Sequence, residues 1–359
     1  MNASASSILI PLGAIYSALT RARVAAYQRG LLAVSKLPVP VVSVGNITTG
    51  GTGKTPLVEW VCRTIANLGA HEGARAGKKI CVLTRGYGKA NPKAQVVVSD
   101  GSELLTNERE AGDEPFLLAN NLIGIAAVIS NPNRTAAGKW AINNLDTEVF
   151  VLDDGFQHLQ LARDLDIVAI DATNPWGGGS LLPHGRLRES PRGLSRADCV
   201  VITRAEQIEV LTPIKEAVQQ FVINAPVLSS RMLTSGIRRV DVESTHRDDL
   251  LPQPVGAFCG VGNPESFFER LRSEGNKLAF TRAFADHHQY KQSELDKLVD
   301  EASVKGARSL ITTAKDAIKL KSFSHRVPCY ALEIQILFDE EDHLVDIIRG
   351  TISHTASGD

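Results

Sequence analysis

Residues 50–55 read GGTGKT and combine flexible glycines with a lysine and a threonine. Glycines let backbone N–H groups turn towards an anion, a lysine can reach the outer phosphates of a nucleotide, and a threonine hydroxyl can ligate Mg²⁺. The phosphate-loop pattern G-x-x-x-x-G-K-[ST] fails at one place, because Thr48 stands where the first glycine belongs. The predicted phosphate-binding residues are Thr48, Thr49, Gly50, Gly51, Thr52, Gly53, Lys54 and Thr55.

The stretches that flank this loop have the patterns of a strand and a helix. Residues 39–44 are apolar and rich in β-branched side chains, which is typical of a buried strand. After the loop, apolar residues recur at helical spacing up to Gly69, and Pro56 fits the first helical turn because that turn has spare N–H groups. A strand, a glycine-rich loop and a helix in this order favour a nucleotide-phosphate site over an ordinary glycine-rich turn.

Two adjacent aspartates, Asp153 and Asp154, follow the short apolar run 148–152. Their position is typical of the Walker B carboxylate, which holds Mg²⁺ directly or through water. Taken alone, the pattern fits a turn with two exposed aspartates better. Downstream of a phosphate loop, we interpret the pair as Mg²⁺ ligands together with Thr55. The sequence leaves open which aspartate binds the ion directly.

Two further clusters combine titratable residues with turn-forming ones. In residues 184–196, glycine, proline and serine surround several basic side chains, which predicts a loop that binds a second anion; the alternative is a solvated basic face. Later in the chain, His287 and His288 follow Asp286 and are candidates for chemistry in a cleft between domains; the alternative is a capped or solvated turn. The basic residues of the first cluster are His184, Arg186, Arg188, Arg192 and Arg196.

Apolar runs alternate with helical patterns along most of the chain. Among them are predicted strands over 165–171, 255–259 and 309–313 and predicted helices over 107–122 and 134–145. This alternation predicts an α/β fold with a doubly wound, mostly parallel sheet, whose ligands bind beyond the carboxyl ends of the strands. A second series of strands and helices lacks a phosphate loop and predicts a smaller α/β domain. Segments 227–240 and 330–338 could pair with each other as a β linker between the two domains. The predicted divisions are an N-terminal helix in 1–36, a phosphate-loop domain in 37–228, a linker in 229–250, the smaller domain in 251–328, and a return strand with the C-terminal segment in 329–359.

The composition argues against several classes of function. The 39 Lys and Arg residues nearly balance the 40 Asp and Glu residues, so no overall positive field predicts nucleic-acid binding. The five cysteines are widely spaced without a CxxC pair, which predicts buried thiols rather than disulfides or a zinc site. Residues 203–206 occupy the position of the guanine-reading motif [NT]-K-x-D, but they read TRAE, so GTP selectivity is not supported.

Residues 8–19 near the N-terminus are apolar and precede Arg21, Arg23 and Arg29. The run is too short to span a bilayer, which takes about 20 residues. A signal peptide would carry its positive charge before the apolar run. Two interpretations remain, a helix packed on the protein's own core or an amphipathic helix in the membrane interface, and the residues alone favour the core.

With these pieces placed, the chain resembles the tetraacyldisaccharide 4'-kinase family, the lipid A 4'-kinases, over nearly its whole length. The resemblance implies transfer of the ATP γ-phosphate, with Mg²⁺, to the 4'-hydroxyl of a tetraacyldisaccharide 1-phosphate. It also implies a peripheral location at the cytoplasmic face of a Gram-negative inner membrane, which favours the membrane-interface helix. The sequence itself gives no sign of an obligate protein partner. The matching blocks are PVVSVGNITTGGTGKTP (40–56), LTRGYG (83–88), AGDEP (111–115), LDDGFQH (152–158), LLPHGRLRE (181–189) and FADHH (284–288).

The resemblance further implies a role for individual residues. Asp113 would be the general base that a sugar hydroxyl needs, His287 would orient it from the second domain, and Lys54 would stabilise the phosphates. Such a base is complete only when the domains close, which limits futile ATP hydrolysis. Two other interpretations stay open, a phosphate-loop kinase of a soluble small molecule and a nucleotide-switch GTPase. The implied substrate or phosphate contacts are Arg85, Tyr87, Glu114, His158, Arg186, Arg188 and Glu189, of which His158 and Glu189 would tune the Mg²⁺ site.

Overall fold

The computed structural model describes residues 3–71, 78–240, 251–320 and 322–354. Within these residues, 12 strands form one sheet. The strands are β1 (Val41–Asn46), β2 (Ile80–Thr84), β3 (Val96–Ser99), β4 (Ala126–Ser130), β5 (Val149–Asp153), β6 (Leu165–Asp171), β7 (Cys199–Thr203), β8 (Val227–Arg239), β9 (Val255–Cys259), β10 (Leu278–Ala283), β11 (Ser309–Thr313) and β12 (Cys329–Phe338). Their order across the sheet is β10-β9-β11-β12-β8-β7-β6-β1-β5-β2-β4-β3.

Helices and short helical turns connect these strands. The helices are α1 (Ala3–Gln28), α2 (Lys54–His71), α3 (Glu108–Ala111), α4 (Asp113–Asn121), α5 (Arg134–Leu145), α6 (Thr212–Gln219), α7 (Pro264–Ser273), α8 (Gln292–Lys305), α9 (Ala314–Ala317) and α10 (Glu341–His354).

Neighbouring strands run parallel except in the pairs β3–β4 and β8–β12. The central strands are buried at every position, and alternate residues join different hydrophobic clusters. In β2, Ile80 and Val82 pack in the cluster of α2 and α4, whereas Cys81 and Leu83 pack in the cluster of α5. Strands covered on both faces must be apolar throughout, which explains why they read as continuous apolar runs. The predicted doubly wound, mostly parallel sheet is confirmed, and the five cysteines are buried, as predicted.

The sheet has two halves, β7-β6-β1-β5-β2-β4-β3 and β10-β9-β11, and strands β8 and β12 join them. They pair antiparallel along most of their length, with a bulge between Glu333 and Ile334. Each also pairs with a parallel strand of one half, β8 with β7 and β12 with β11. The predicted pairing of residues 227–240 with 330–338 is therefore confirmed. Residues 241–250 of the predicted linker lie outside the described residues, and the division of the chain into domains stays a prediction.

The helix predicted over residues 107–122 is interrupted at Gly112. This glycine has φ 92°, and a Cβ atom added to it would lie 2.5 Å from the backbone oxygen of Tyr87. The passing loop therefore forces a bend that only glycine tolerates, and α4 begins at the next residue, Asp113. The prediction of a single helix was wrong because helical periodicity does not register a crossing loop.

The C-terminal helix α10 is absent from the sequence-based expectations. Its apolar residues Leu344, Ile348 and Ile352 recur every four positions and pack into the cluster that contains Leu57 and Val61 of α2. Helix α10 thus packs on the half of the sheet that carries the phosphate loop.

Helix α1 is longer than the apolar run that predicts it. Its apolar residues Ile15 and Leu19 are 57% and 66% exposed, so they do not pack into the protein's core. In the described part of the chain, no helix combines the length and apolarity that crossing a membrane requires.

Candidate active site

The phosphate loop connects the end of β1 to the start of α2. The Asn46 side chain donates to the Thr52 hydroxyl at 2.8 Å, and the Thr203 hydroxyl donates to the Thr52 backbone oxygen at 2.9 Å. Gly53 has φ 76°, and a Cβ atom there would lie 2.6 Å from the Met232 methyl group. The loop is therefore held by side chains of β1 and β7 before any ligand binds, which suits a backbone site for phosphate oxygens.

Asp154 lies at the centre of a charged group at the end of β5. Its carboxylate accepts from Arg188 Nη1 with both oxygens at 2.7 Å, and Lys54 Nζ lies 3.5 Å from Oδ1. Burial opposes ionisation here, but the charges of Lys54 and Arg188 outweigh it and lower the pKa of Asp154 to about 2. Its φ of 55° is uncommon for a residue other than glycine, and such backbone strain is concentrated at functional sites. Asp154 is thus a fixed anion that orients the phosphate-loop lysine.

Asp153 differs from Asp154 because nearby cations compensate the charge of its carboxylate less. Burial, with smaller contributions from Glu114 and Asp154, raises the pKa of Asp153 to about 6, and the Thr84 hydroxyl donates to Oδ2 at 3.0 Å. A divalent cation would offset this cost, so the carboxylate fits Mg²⁺. In the described chain, no group of three or more His, Cys, Asp or Glu side chains could hold a metal by itself. Mg²⁺ would therefore need the Thr55 hydroxyl, an aspartate and phosphate oxygens, the mixed oxygen set that this ion prefers.

The predicted catalytic pair, Asp113 and His287, is assembled from both halves of the sheet. Asp113 Oδ2 lies 3.4 Å from His287 Nδ1 and 2.6 Å from Lys319 Nζ. Burial would raise the pKa of Asp113, but the hydrogen bonds and charges of His287 and Lys319 outweigh it and lower the pKa below its ordinary value. His287 adopts φ 59°, a left-handed conformation that is uncommon for residues other than glycine, although histidine adopts it more often than most. Asp113 is therefore held as a carboxylate by two side chains from the other half.

A cavity of about 1340 Å³ brings these groups together. Its walls come from both halves of the sheet and from α1. Asp113 itself is 8% exposed and is not among the lining residues, whereas its neighbour Glu114 and its partner His287 are. The predicted site residues that line the cavity are Thr49, Gly50, Gly51, Thr52, Gly53, Lys54, Thr55, Arg85, Tyr87, Glu114, Asp153, Asp154, His158, Arg188 and His287.

The arginine-rich loop contributes one side chain to this cavity, Arg188. Arg186 instead lines a second cavity of about 510 Å³ next to the phosphate loop, together with Thr48. Glu189 is buried and lines neither cavity. It accepts from Arg196 at 2.8 Å and from the Gln157 side chain at 2.8 Å, so it acts as a structural anchor for this loop.

Arg134 is a buried residue of the site that sequence reasoning missed. Its Nη2 atom donates to the Asp153 backbone oxygen at 3.3 Å, and Nη1 lies 3.5 Å from His158 Nδ1. Burial, reinforced by the charge of Arg134, lowers the pKa of His158 to about 3, so His158 is neutral. Among the described residues, the His158 Nε2 atom has no hydrogen-bond partner, although it is buried. The only sequence signal for Arg134 was its place at the start of a helix after β4, beyond the carboxyl end of a strand.

Lys315 and Lys319 were also missed. Lys315 lies 3.3 Å from Glu114, Asp286 and His287, and Lys319 contacts Asp113. Both follow β11, so a polar segment at the carboxyl end of a parallel strand was the available signal.

The segment at the guanine-reading position is occupied by ion pairs. Arg204 pairs with Asp171, and Glu206 pairs with Arg270 while accepting from the Met232 backbone N–H at 2.9 Å. Glu206 thus ties β8 and α7 together, which agrees with the absence of a guanine-reading motif in the sequence.

Comparison with known proteins places this site in a family. Residues 5–353 match the family model described as tetraacyldisaccharide-1-P 4'-kinase. The tetraacyldisaccharide 4'-kinase of Geobacter metallireducens is 41% identical over 314 residues, 88% of this chain and 88% of that protein. That of Desulfotalea psychrophila is 37% identical over 330 residues, 90% of this chain and 91% of that protein.

A solved structure agrees with the sequence matches. The crystal structure of LpxK from Aquifex aeolicus, in complex with ATP, superposes with a TM-score of 0.76 at 31% identity and covers 97% of this chain and 99% of that one. The matches extend over the phosphate-loop half, the second half and the strands that join them. The chain therefore belongs to the tetraacyldisaccharide-1-P 4'-kinase family.

Proposed function

We propose that this chain transfers the γ-phosphoryl group of ATP to the 4'-hydroxyl of a tetraacyldisaccharide 1-phosphate, in keeping with the name of its relatives, tetraacyldisaccharide 4'-kinase. The observation that carries the proposal is one cavity in which the phosphate loop, the aspartates after β5 and His287 all meet, with Asp113 directly behind His287. Phosphoryl transfer needs positioning and charge neutralisation rather than covalent help from the protein, and this cavity offers both.

The phosphate loop would hold the nucleotide. Backbone N–H groups of Gly50 to Gly53 surround the phosphate position, and Lys54, oriented by Asp154, neutralises charge on the outer phosphates. Thr55 and Asp153 would hold Mg²⁺, because Asp154 already accepts from Arg188 with both oxygens. Bound Mg²⁺ supplies further neutralisation of the phosphate oxygens during transfer.

Asp113 would activate the acceptor. The acceptor oxygen forms a bond to the γ-phosphorus as the bond from that phosphorus to the bridging oxygen of ADP breaks, and the hydroxyl proton passes to the Asp113 carboxylate. His287 keeps this carboxylate ionised until the transfer. Glu114 lies next to Asp113 and lines the cavity, so a comparison of the two variants tests which carboxylate takes the proton, and Asp113→Ala is expected to lose far more turnover than Glu114→Ala.

The acceptor's own phosphate and sugar would lie against the basic side of the cavity. Arg85, Arg134 and Arg188 line this side together with Tyr87, and guanidinium groups bind phosphate oxygens in pairs. Arg85 Nη1 also donates to the Tyr87 hydroxyl at 2.9 Å, which fixes the direction of the tyrosine ring.

Helix α1 would guide the lipid to this site from a membrane surface. Tyr16, Thr20 and Arg23 line the same cavity as the phosphate loop, while Ile15 and Leu19 are exposed on the helix. Exposed apolar side chains next to arginines suit the boundary between acyl chains and lipid phosphates. We therefore propose a peripheral location at the cytoplasmic face of the inner membrane.

The predicted two-domain organisation would make phosphoryl transfer depend on closure of the domains. Lys54 belongs to one half and His287 to the other, so the halves must come together to complete the site. The predicted divisions at 37–228 and 251–328 place the phosphate loop and the histidine on opposite sides of the β8–β12 pair.

Transfer of ³²P from γ-labelled ATP to tetraacyldisaccharide 1-phosphate in detergent micelles tests the proposal. A labelled lipid is expected with the wild type and not with Lys54→Ala. ATP binding without a labelled lipid would favour a kinase of a soluble acceptor, and binding of GTP in preference to ATP would favour a nucleotide switch.

A further inference from the structure

Two lysines that follow β11 contact the catalytic pair, and the proposed mechanism leaves them without a role. Lys315 contacts His287, and Lys319 contacts Asp113. We propose that Lys315 fixes the tautomer of His287 and that Lys319 holds the Asp113 carboxylate, so that both lysines position the base. This inference rests on the proposed function, because it assigns Asp113 the acceptor's proton.

Lys315 has one acceptor for each proton of its ammonium group. Its Nζ atom lies 3.3 Å from Glu114 Oε1, 3.3 Å from Asp286 Oδ1 and 3.3 Å from His287 Nε2. The side chain is 16% exposed, and the charges of Glu114 and Asp286 raise its pKa against the opposing effect of burial. Lys315 therefore stays an ammonium ion, a group that donates and cannot accept.

This geometry decides which ring nitrogen of His287 carries the proton. Because Lys315 can only donate, Nε2 of neutral His287 must accept, and the ring proton lies on Nδ1. Nδ1 then donates to Asp113 Oδ2, which lies 3.4 Å away. Glu114 and Asp286 also face Nε2 and would favour a proton there, but each lies 4.0 Å away, beyond hydrogen-bond reach, whereas Lys315 is closer.

Lys319 acts on the carboxylate itself. Its side chain is 4% exposed, its Nζ lies 2.6 Å from Asp113 Oδ2, and it also donates to the His288 backbone oxygen at 3.0 Å. A buried ammonium ion next to a carboxylate keeps that carboxylate ionised and restricts its rotation. Lys319 and His287 both contact Oδ2, so Oδ1 is the oxygen we assign to the acceptor hydroxyl.

The tautomer can be measured without any substrate. In ¹⁵N-histidine-labelled full-length protein at alkaline pH, two-bond ¹⁵N–¹H correlation spectra distinguish the two ring nitrogens, and the His287→Gln variant identifies the His287 signals. The wild type is expected to carry its proton on Nδ1, and Lys315→Met is expected to move the population towards Nε2. A wild type with its proton on Nε2, or an unchanged population in Lys315→Met, would overturn the assignment.

The role of Lys319 is tested by kinetics against a matched surface control. Lys319→Met is expected to lower kcat about 10-fold or more, with little change in KM for ATP, because it disturbs a general base. The acid limb of its kcat profile should move to higher pH, because the pKa of Asp113 rises without the ammonium group. Lys319→Arg, which keeps the charge, should recover part of the loss. Lys305→Met removes a solvent-exposed ammonium group that pairs with Glu301 and lies over the Phe280 ring, outside the cavity, and is the control.

The outcomes separate this inference from the proposed function. If Lys319→Met turns over like Lys305→Met with an unmoved acid limb, Lys319 does not position the base. Urea unfolding shows whether Lys319→Met folds. If it does not, the acid limb of the kcat profile is measured with Lys319→Gln instead. A wild type that labels no lipid would refute the proposed function, whereas the spectra would still decide the tautomer of His287.

Discussion

Replacing Gly112 by alanine tests how much the backbone bend before Asp113 contributes to turnover. An added Cβ atom would lie 2.5 Å from the Tyr87 backbone oxygen, 0.9 Å inside the ordinary contact limit of 3.4 Å. A backbone oxygen cannot swing aside as a side chain can, so either the start of α4 or the Tyr87 loop must move by nearly that distance. Because Asp113 is the first residue of α4, we expect its carboxylate to move relative to His287.

The expected loss follows from this distance. A misplacement of about 1 Å can cost about 100-fold in rate, so kcat of Gly112→Ala should fall about 10-fold to 100-fold. The backbone conformation itself, φ 92° and ψ 152°, should cost a further ~1–3 kcal/mol of folding stability. Lipid phosphorylation with labelled ATP at saturating substrates measures the first effect, and urea unfolding measures the second.

Gly124→Ala is the matched control. Gly124 has φ 79°, yet an added Cβ atom would meet nothing within 4 Å. This variant should lose stability through its backbone conformation and keep its turnover. If Gly112→Ala and Gly124→Ala were to show the same kcat, the bend at Gly112 would not position the base, and the steric reasoning would be refuted.

Three further outcomes are expected. Lys54→Ala should lower kcat about 100-fold or more, as loss of one preorganised charge contact does, while circular dichroism spectra show the fold unchanged. Burial and then the charge of Arg134 lower the pKa of His158 from 6.5 to about 3, so the unfolded chain binds a proton that the folded protein does not, and stability falls as pH drops below 6.5. Between pH 6.5 and about 4.5, His158→Gln should therefore lose less folding stability than the wild type, by roughly 1–2 kcal/mol in urea unfolding. Equal losses would show that His158 does not cause this pH dependence. Deleting residues 1–20 should weaken binding to anionic vesicles more than affinity for ATP, and a truncated chain that unfolds would instead favour a core role for α1.

The amino-acid sequence by itself determined most of the elements and the nucleotide end of the site. Strands such as β6, β9 and β11 and the helix α5 were predicted with their observed bounds, because burial on both faces and helical periodicity leave a local record in residue order. The phosphate loop was equally readable, since its glycines and Lys54 act through backbone geometry within a few residues. The resemblance to a known family supplied the expectation that Asp113 and His287 meet.

Tertiary structure decided the contacts that join distant parts of the chain. No local pattern indicates that Lys319 lies 2.6 Å from Asp113, that Arg188 holds Asp154, or that α1 lines the cavity. These contacts depend on the order of strands in the sheet and on the pairing of β8 with β12, which brings the carboxyl ends of strands from both halves to one cavity. Side chains with no periodic role of their own acquire a function there because long-range packing sets their distances and removes them from water.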